Sequence, residues 1–279
     1  MTDTKPPQAI DWRASGGQAW ADLLPVMERG FKPIGDAVSD LAHLVEGERV
    51  LDVGCGGGAT TLDIAQRIGP GGWAVGVDIS PRLLDLARQA AQTRGLANVN
   101  FREADAETCL FEPRDFDAVV SRFGVMFFDD AKAAFVNLRR ALAPTGRLAF
   151  ACWRSPAENP FAGLANQAAA PLLPPMDPPP KNAPGRFGFA DPDYVSEVLT
   201  DAGWRDIVIG AFDAPIPGTL DEIVEQNLRL GSIGVALRDQ SAETQVQVHE
   251  AVAAAFRSHV GPDGMIPVNA ACWLVAARP

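Results

Sequence analysis

The sequence predicts an α/β fold built on a doubly wound, mostly parallel sheet, and three observations predict it. Short apolar segments of strand length alternate with helical segments between Arg49 and Trp153, the pattern of βαβ crossovers. Those strand segments are nearly continuously apolar, as strands covered by helices on both faces must be. A glycine-rich run, Gly54-Cys55-Gly56-Gly57-Gly58, stands where the first strand gives way to a helix, at the carboxyl end of the strand where open α/β sheets bind ligands.

The elements follow in order. Trp12 to Leu44 reads as helical, with Trp20, Leu23, Leu24, Met27 and Phe31 recurring at helix spacing. Pro25 and Pro33 imply breaks or helix starts within it. Arg49–Val53 is the first strand, Thr60–Ile68 a helix and Trp73–Val77 the second strand. Pro81 opens a helix to about Arg94 with Ser80 as its N-cap. Val99–Arg102 and Phe116–Ser121 are strands three and four. A helix over Asp129–Leu142, a turn at Pro144-Thr145-Gly146 and a strand over Arg147–Trp153 complete this part. Residues 155–184 are rich in proline, which excludes a core element there. Pro192–Ala202 reads as a helix closed by Gly203, and Arg205–Phe212 as a strand. Helices near Leu220–Leu230 and Ala242–Val260 precede a final strand, Ala270–Ala277.

Composition narrows the function. A chain of 279 residues with 47% hydrophobic and 21% charged residues is long enough to bury a sizeable core. A formal net charge of −11 repels phosphate backbones and anionic membranes, so nucleic acid is not an expected partner. Such a field favours a cationic ligand. No apolar run reaches membrane-spanning length, and Met1–Pro7 lacks the apolar stretch of a signal peptide. Cys55, Cys109, Cys152 and Cys272 are scattered, without metal-site spacing; they read as reduced thiols of a cytoplasmic protein. Nothing in the sequence specifies an oligomeric state.

The glycine loop alone selects no ligand, because Gly54, Gly56 and Ala59 also satisfy the dinucleotide fingerprint G-x-G-x-x-G/A. Asp52 separates the readings. A carboxylate two residues before the first glycine accepts from the ammonium of an amino-acid ligand and repels a pyrophosphate on the same turn. A helix-capping Asp on a tight turn is the alternative. Asp78, ending the second strand, suits two ribose hydroxyls, a device shared with nicotinamide-binding folds, or caps the helix after it. Asp105 suits an adenine amino group, with the Ala106 N–H beside it, or is a solvated loop acid like Glu103 and Glu107. Ser121, Arg122 and Phe123 end the fourth strand where cofactor and substrate meet. Arg122 either steers an anionic substrate or pairs with a neighbouring acid. Met126 and Phe127 read as apolar pocket lining or as core. Asp129 and Asp130 are expected to cap the next helix, so no metal site is predicted.

Taken together these residues resemble the class I methyltransferases that use S-adenosylmethionine, and within them the ubiquinone/menaquinone-biosynthesis-like small-molecule group. The matching motifs are Val50–Gly58 with Thr61, Val77–Ser80, Ala104–Ala106, Phe116–Ser121 and Leu142–Leu148, in family order across residues 47–153. The resemblance implies a Rossmann-like seven-stranded sheet whose last strand is antiparallel, with Arg205–Phe212 and Ala270–Ala277 as its last two strands. It divides the chain into an N-terminal helical segment (1–46), a cofactor-binding core (47–153), a proline-rich lid or insertion (154–190), and the end of the sheet (191–279) carrying a helical substrate cap at about 213–268.

It also implies that Asp52, Gly54, Cys55, Gly56 and Thr61 surround the methionine part of S-adenosylmethionine. Asp78 would hold the ribose, Ile79 and Leu83 flank the base, and Asp105 and Ala106 read the adenine. Ser121, Arg122 and Phe123 would lie beside the sulfonium, and Trp20 would close over the cofactor or simply pack the core. S-adenosylhomocysteine would be the product. The C-terminal half departs from the quinone enzymes and resembles the caps of small-molecule methyltransferases. Met126, Phe127, Trp153 and His259 are the candidate substrate contacts. His43, His249 and His259 lie outside the core motifs, and a general base is not assigned. A nicotinamide-dependent oxidoreductase and a non-catalytic S-adenosylmethionine-binding protein are the alternatives.

Overall fold

Strand geometry and glycine punctuation place the elements of the computed structural model, which describes residues 10–175 and 178–279. The Met1–Pro7 reading lies outside the described residues. Helices α1 (Ser15–Asp22) and α2 (Leu24–Leu41) precede β1 (Arg49–Val53), α3 (Ala59–Arg67), β2 (Trp73–Asp78), α4 (Pro81–Arg94) and β3 (Val99–Glu103). Then come β4 (Phe116–Arg122), α5 (Ala131–Ala141), β5 (Leu142–Trp153), α6 (Pro160–Ala169), α7 (Pro192–Asp201) and β6 (Arg205–Pro215). The chain closes with β7 (Gly218–Thr219), α8 (Leu220–Arg229), α9 (Ser232–Leu237), α10 (Ala242–Arg257), β8 (Met265–Ile266) and β9 (Asn269–Arg278).

Seven strands form one sheet in the order β3-β2-β1-β4-β5-β9-β6. β1 to β5 pair in parallel, and β9 runs antiparallel to both β5 and β6. This is the expected doubly wound sheet with its antiparallel last strand. The order reverses between β1 and β4, so the loops after these two strands flank the crevice at the switch point. Apart from Arg49, β1 is fully buried, and so are Ala118 to Ser121 of β4, as central strands must be. α4 starts and stops where local chemistry directs: Ser80 accepts from the Leu83 N–H, Pro81 sits in the first turn, and Gly95 ends the helix at φ +64°.

Three readings require correction. α2 runs straight through Pro33. That proline is exposed, as is Arg29 one turn earlier, so the carbonyl that loses its amide partner reaches water. β5 begins at Leu142, with a bulge that skips from Phe116↔Leu142 to Ala118↔Arg147; Pro144-Thr145-Gly146 lies in that bulge. The proline-rich segment contains α6, whose Ala165 and Ala169 are fully buried. Its prolines fall at the N-terminus of the helix and beyond its end, where they are tolerated. α9 is a further helix without a sequence-based expectation.

The core forms on both faces of the sheet. A second apolar cluster joins α6, α8, α9, α10 and Ile266 of β8, around Val224, Val248, Val252 and Phe256. Ion pairs Arg29–Glu222 (2.7 Å) and Arg229–Asp22 tie α8 to the N-terminal helices.

Candidate functional site

Two loops meet at the switch point so closely that only glycine fits. Gly54 has φ +69°, and a Cβ added there would stand 2.7 Å from the Gly124 Cα. Ser121, fully buried at the end of β4, binds the two loops: its hydroxyl donates to the Val53 carbonyl (2.8 Å) and accepts from the Gly124 and Val125 N–H groups. Phe123 between them is held at φ +68°, a strained conformation for a bulky residue of the kind that clusters at functional sites.

Asp52 is 1% exposed. Among the described residues its one hydrogen-bond donor is the Thr61 hydroxyl, at 2.6 Å. Burial pushes the carboxyl up to about 6, against the opposing pull of the Thr61 hydrogen bond and the Arg122 charge. Thr61 therefore orients Asp52. Asp78 bridges two elements: Oδ2 accepts from the Gly56 N–H (2.9 Å) and Oδ1 from the Ser80 N–H (2.8 Å). Burial raises its pKa too, opposed by those backbone hydrogen bonds. It thus fixes the glycine loop against the start of α4, while Ser80 is the N-cap proper. Ile79 is half-buried beside it, and Leu83 is buried one turn into α4.

Cys55 turns away from the loop. Its side chain packs with Leu62, Leu84 and Phe101, its N–H donates to the Val77 carbonyl, and burial raises its thiol pKa. Asp105 is half-exposed and accepts from the Glu107 N–H, with Arg13 3.9 Å away. The Ala106 N–H finds no acceptor among the described residues, whereas its carbonyl accepts from Asn137. Glu107 is not a solvated acid: its two oxygens accept from the Asp129 and Asp130 N–H groups. Asp130 caps α5 by accepting from Ala133. Among the described residues no acid, histidine or cysteine cluster could hold a metal ion.

Arg122 faces α2 and pairs with Glu28 at 3.0 Å, both largely buried. The pairing alternative holds, and the charge is spent. His259 lies just beyond α10, exposed, edge-on to Phe161 at 5.8 Å in the second apolar cluster. His249 is half-exposed, 3.8 Å from Glu225. The His43 carbonyl accepts from Arg147 at the far end of α2. None joins the residues at the switch point.

An aromatic wall does join them. Trp12 meets Phe127 (5.2 Å between ring centroids) and Trp20 (5.8 Å); Trp20 meets Phe31 (6.1 Å); Phe31 meets Phe123 and Trp153. Phe123 and Trp153 stack at 4.7 Å and 7°. The Trp20 Nε1 lies 3.8 Å from where a Gly56 Cβ would be, so the wall begins over the glycine loop. Met126 is buried beneath, its carbonyl accepting from Gly185. Sequence reasoning missed Trp12, Phe31 and Arg186, whose guanidinium lies over the Trp153 ring at 5.9 Å. Trp12 and Phe31 carried a signal, an aromatic series at helix spacing; Arg186 carried none.

The strand order and the antiparallel last strand are those of the Rossmann-like methyltransferase fold. Residues 44–172 match the model of a family described as "Methyltransferase domain". The chain is 41% identical over 120 residues to the aklanonic acid methyltransferase DauC of Streptomyces sp., a match covering 43% of this chain and 54% of that enzyme. It is 40% identical over 122 residues to the demethylmenaquinone methyltransferase of Thermus thermophilus, covering 44% and 54%. Thus the chain spans about half the length of these curated relatives. Among solved structures, the YcgJ protein of Bacillus subtilis superposes with a TM-score of 0.58 at 17% identity, covering 88% of this chain and 97% of that one; that likeness is one of fold.

Proposed function

We propose that this protein transfers a methyl group from S-adenosylmethionine to a small-molecule acceptor. The observation that carries the proposal is Asp52, a buried carboxylate with a hydroxyl as its single donor among the described residues. A buried acid so placed is stabilised by a cation, and the ammonium of an amino-acid ligand supplies one. The other groups fit the same ligand: Asp78 for the ribose hydroxyls, the unsatisfied Ala106 N–H for an adenine ring nitrogen, Asp105 for its amino group, and Trp20 over the glycine loop. Ile79 and Leu83 flank the base. Thr61, Ser121 and Cys55 act as supports, through a side-chain bond, a loop tie and backbone respectively. A nicotinamide dinucleotide is disfavoured because Asp52 would face its pyrophosphate.

When bound, S-adenosylmethionine supplies an electrophilic methyl group on a sulfonium leaving group. This chain's contribution is positioning and exclusion of water. The aromatic wall of Trp12, Trp20, Phe31, Phe123, Phe127 and Trp153 keeps bulk water out, and an aromatic ring favours a cationic centre beside it. Arg122 is held by Glu28 and acts on Asp52 through its charge. None of the three histidines lies in this wall, and no general base is assigned. The helices of the second apolar cluster and the 154–190 segment form the substrate cover, and 47–153 the cofactor core. Among the described residues no helix is long and apolar enough to cross a membrane, and four free cysteines support a cytoplasmic site of action.

The relatives are named for aklanonic acid and demethylmenaquinone, which supports a small organic molecule as the acceptor. The test is incubation with methyl-labelled S-adenosylmethionine and fractionated small-molecule extracts, read by mass. A labelled product of low molecular mass supports the proposal. Tight cofactor binding without a labelled product from any fraction would instead indicate a non-catalytic binding protein.

A further inference from the structure

Arg186 is a cation for which no counter-ion stands among the described residues. Three other cations of the chain are neutralised: Arg122 by Glu28 at 3.0 Å, Arg154 by Glu158 and by Asp213 at 3.2 Å, and Lys181 by Asp191 at 2.9 Å. Arg186 makes no ion pair and donates no hydrogen bond among the described residues, yet it is half-buried. Its guanidinium lies over the Trp153 ring, and that ring stacks on Phe123, the strained residue after β4. Two backbone contacts fix the loop that carries it. The Gly185 N–H donates to the Met126 carbonyl at 3.0 Å, and the Gly188 N–H to the Gly185 carbonyl at 3.0 Å. A Cβ at Gly188 would lie 3.0 Å from that same Met126 oxygen, so the loop is seated tightly on the turn after β4.

A guanidinium withdrawn from water without a partner is costly. Burial alone accounts for its lowered pKa. An arginine stacked on an aromatic ring keeps its planar fork of donors free for an oxyanion. The position stands against the molecule's net acidic charge of −11. From the Gly56 loop the wall leads through Trp20, Phe31 and Phe123 to Trp153 and ends at this charge.

We propose that Arg186 is a specificity-determining residue that binds the carboxylate of the methyl acceptor, so that the acceptor class is small, ring-bearing carboxylic acids. The inference rests on reading the aromatic wall as the acceptor pocket of a methyltransferase. One uncompensated positive charge matches one carboxylate. A phosphate ester, with up to two negative charges, would be left partly unpaired.

The test uses the full chain saturated with S-adenosylhomocysteine and three probes of one shape: 2-naphthoate, 2-naphthamide and 2-naphthyl phosphate. Quenching of tryptophan fluorescence reports binding at the wall. The wild type is expected to bind the acid at least tenfold tighter than the amide, and tighter than the phosphate. Arg186→Gln should abolish the preference for acid over amide, and Arg186→Lys should restore part of it. Both variants should keep the wild-type affinity for S-adenosylhomocysteine, which shows that they are folded. Equal binding of acid and amide by the wild type, absence of binding by all three, or tighter binding of the phosphate overturns the proposal. So does a preference for the acid that survives in Arg186→Gln. If S-adenosylhomocysteine itself fails to bind, the cofactor reading fails first, and the two failures are told apart in one titration.

Discussion

Acidification should release the cofactor, because the group proposed to hold its ammonium is a buried acid poised near the physiological range. Burial pushes Asp52 up to about 6, against 3.8 in the unfolded chain. The sign follows from the raised value. Below about pH 4 the carboxyl is neutral in both states and costs nothing. As pH rises through 6 the folded protein must ionise a buried group, at a cost of about 3 kcal/mol for a displacement of this size. A cationic ligand offsets that cost, so it binds the ionised form preferentially. About nine tenths of Asp52 is ionised at pH 7 and about one tenth at pH 5, so affinity for S-adenosylhomocysteine should fall about tenfold, near 1.4 kcal/mol. The ligand's own α-carboxyl and α-amino groups stay ionised over this interval. Calorimetric titration at pH 5, 6 and 7 measures the effect directly. Asp78 is shifted in the same direction by burial, so Asp52→Asn isolates the contribution: its affinity should be lower at pH 7 and should vary less with pH. A wild-type affinity that is flat between pH 5 and 7 would refute the assignment of Asp52 to the ammonium.

Other perturbations follow from single contacts. Asp78→Ala should weaken S-adenosylhomocysteine binding by about 1–3 kcal/mol, the scale of a lost hydrogen bond to a charged group, as measured in the same titration. Gly54→Ala should destabilise the fold by about 1–3 kcal/mol through its positive φ, with more from the clash at Gly124, read as a lower midpoint in urea. Glu28→Gln should strand the Arg122 guanidinium and lower stability by about 3 kcal/mol, the low end for a broken buried pair, again by urea denaturation. Trp20→Ala should raise the Kd for S-adenosylhomocysteine while leaving the midpoint nearly unchanged, since Trp20 is only partly buried.

The residues proposed for the cofactor come together at the switch point because their constraints are local. A glycine at a positive φ, an acid at a strand end and a serine before a helix each carry a one-residue signal, and βαβ spacing places them at one edge of the sheet. Cys55 sat inside that motif, yet its side chain turns into the core, because the motif constrains the backbone and leaves the side-chain direction to packing. Of the proposed acceptor half, only Phe127 and Trp153 of the aromatic wall were singled out from the sequence. α6 was hidden by the prolines around it, although Pro160 at its first turn is a helix-starting signal. His259 was expected on the last cap helix, but α10 ends at Arg257 and His259 is exposed beyond it. Arg186 matters only because Trp153, 33 positions earlier, folds beneath it. Such a relation exists only in three dimensions.

The central claim is that the loop from Asp52 to Gly58 binds an amino-acid nucleoside rather than a dinucleotide. Side-by-side calorimetric titration of the full chain with S-adenosylhomocysteine and with NADH tests it most directly. Saturable one-to-one binding of S-adenosylhomocysteine and no binding of NADH at the same concentrations are expected; NADH binding of equal or greater affinity would overturn the assignment of this loop.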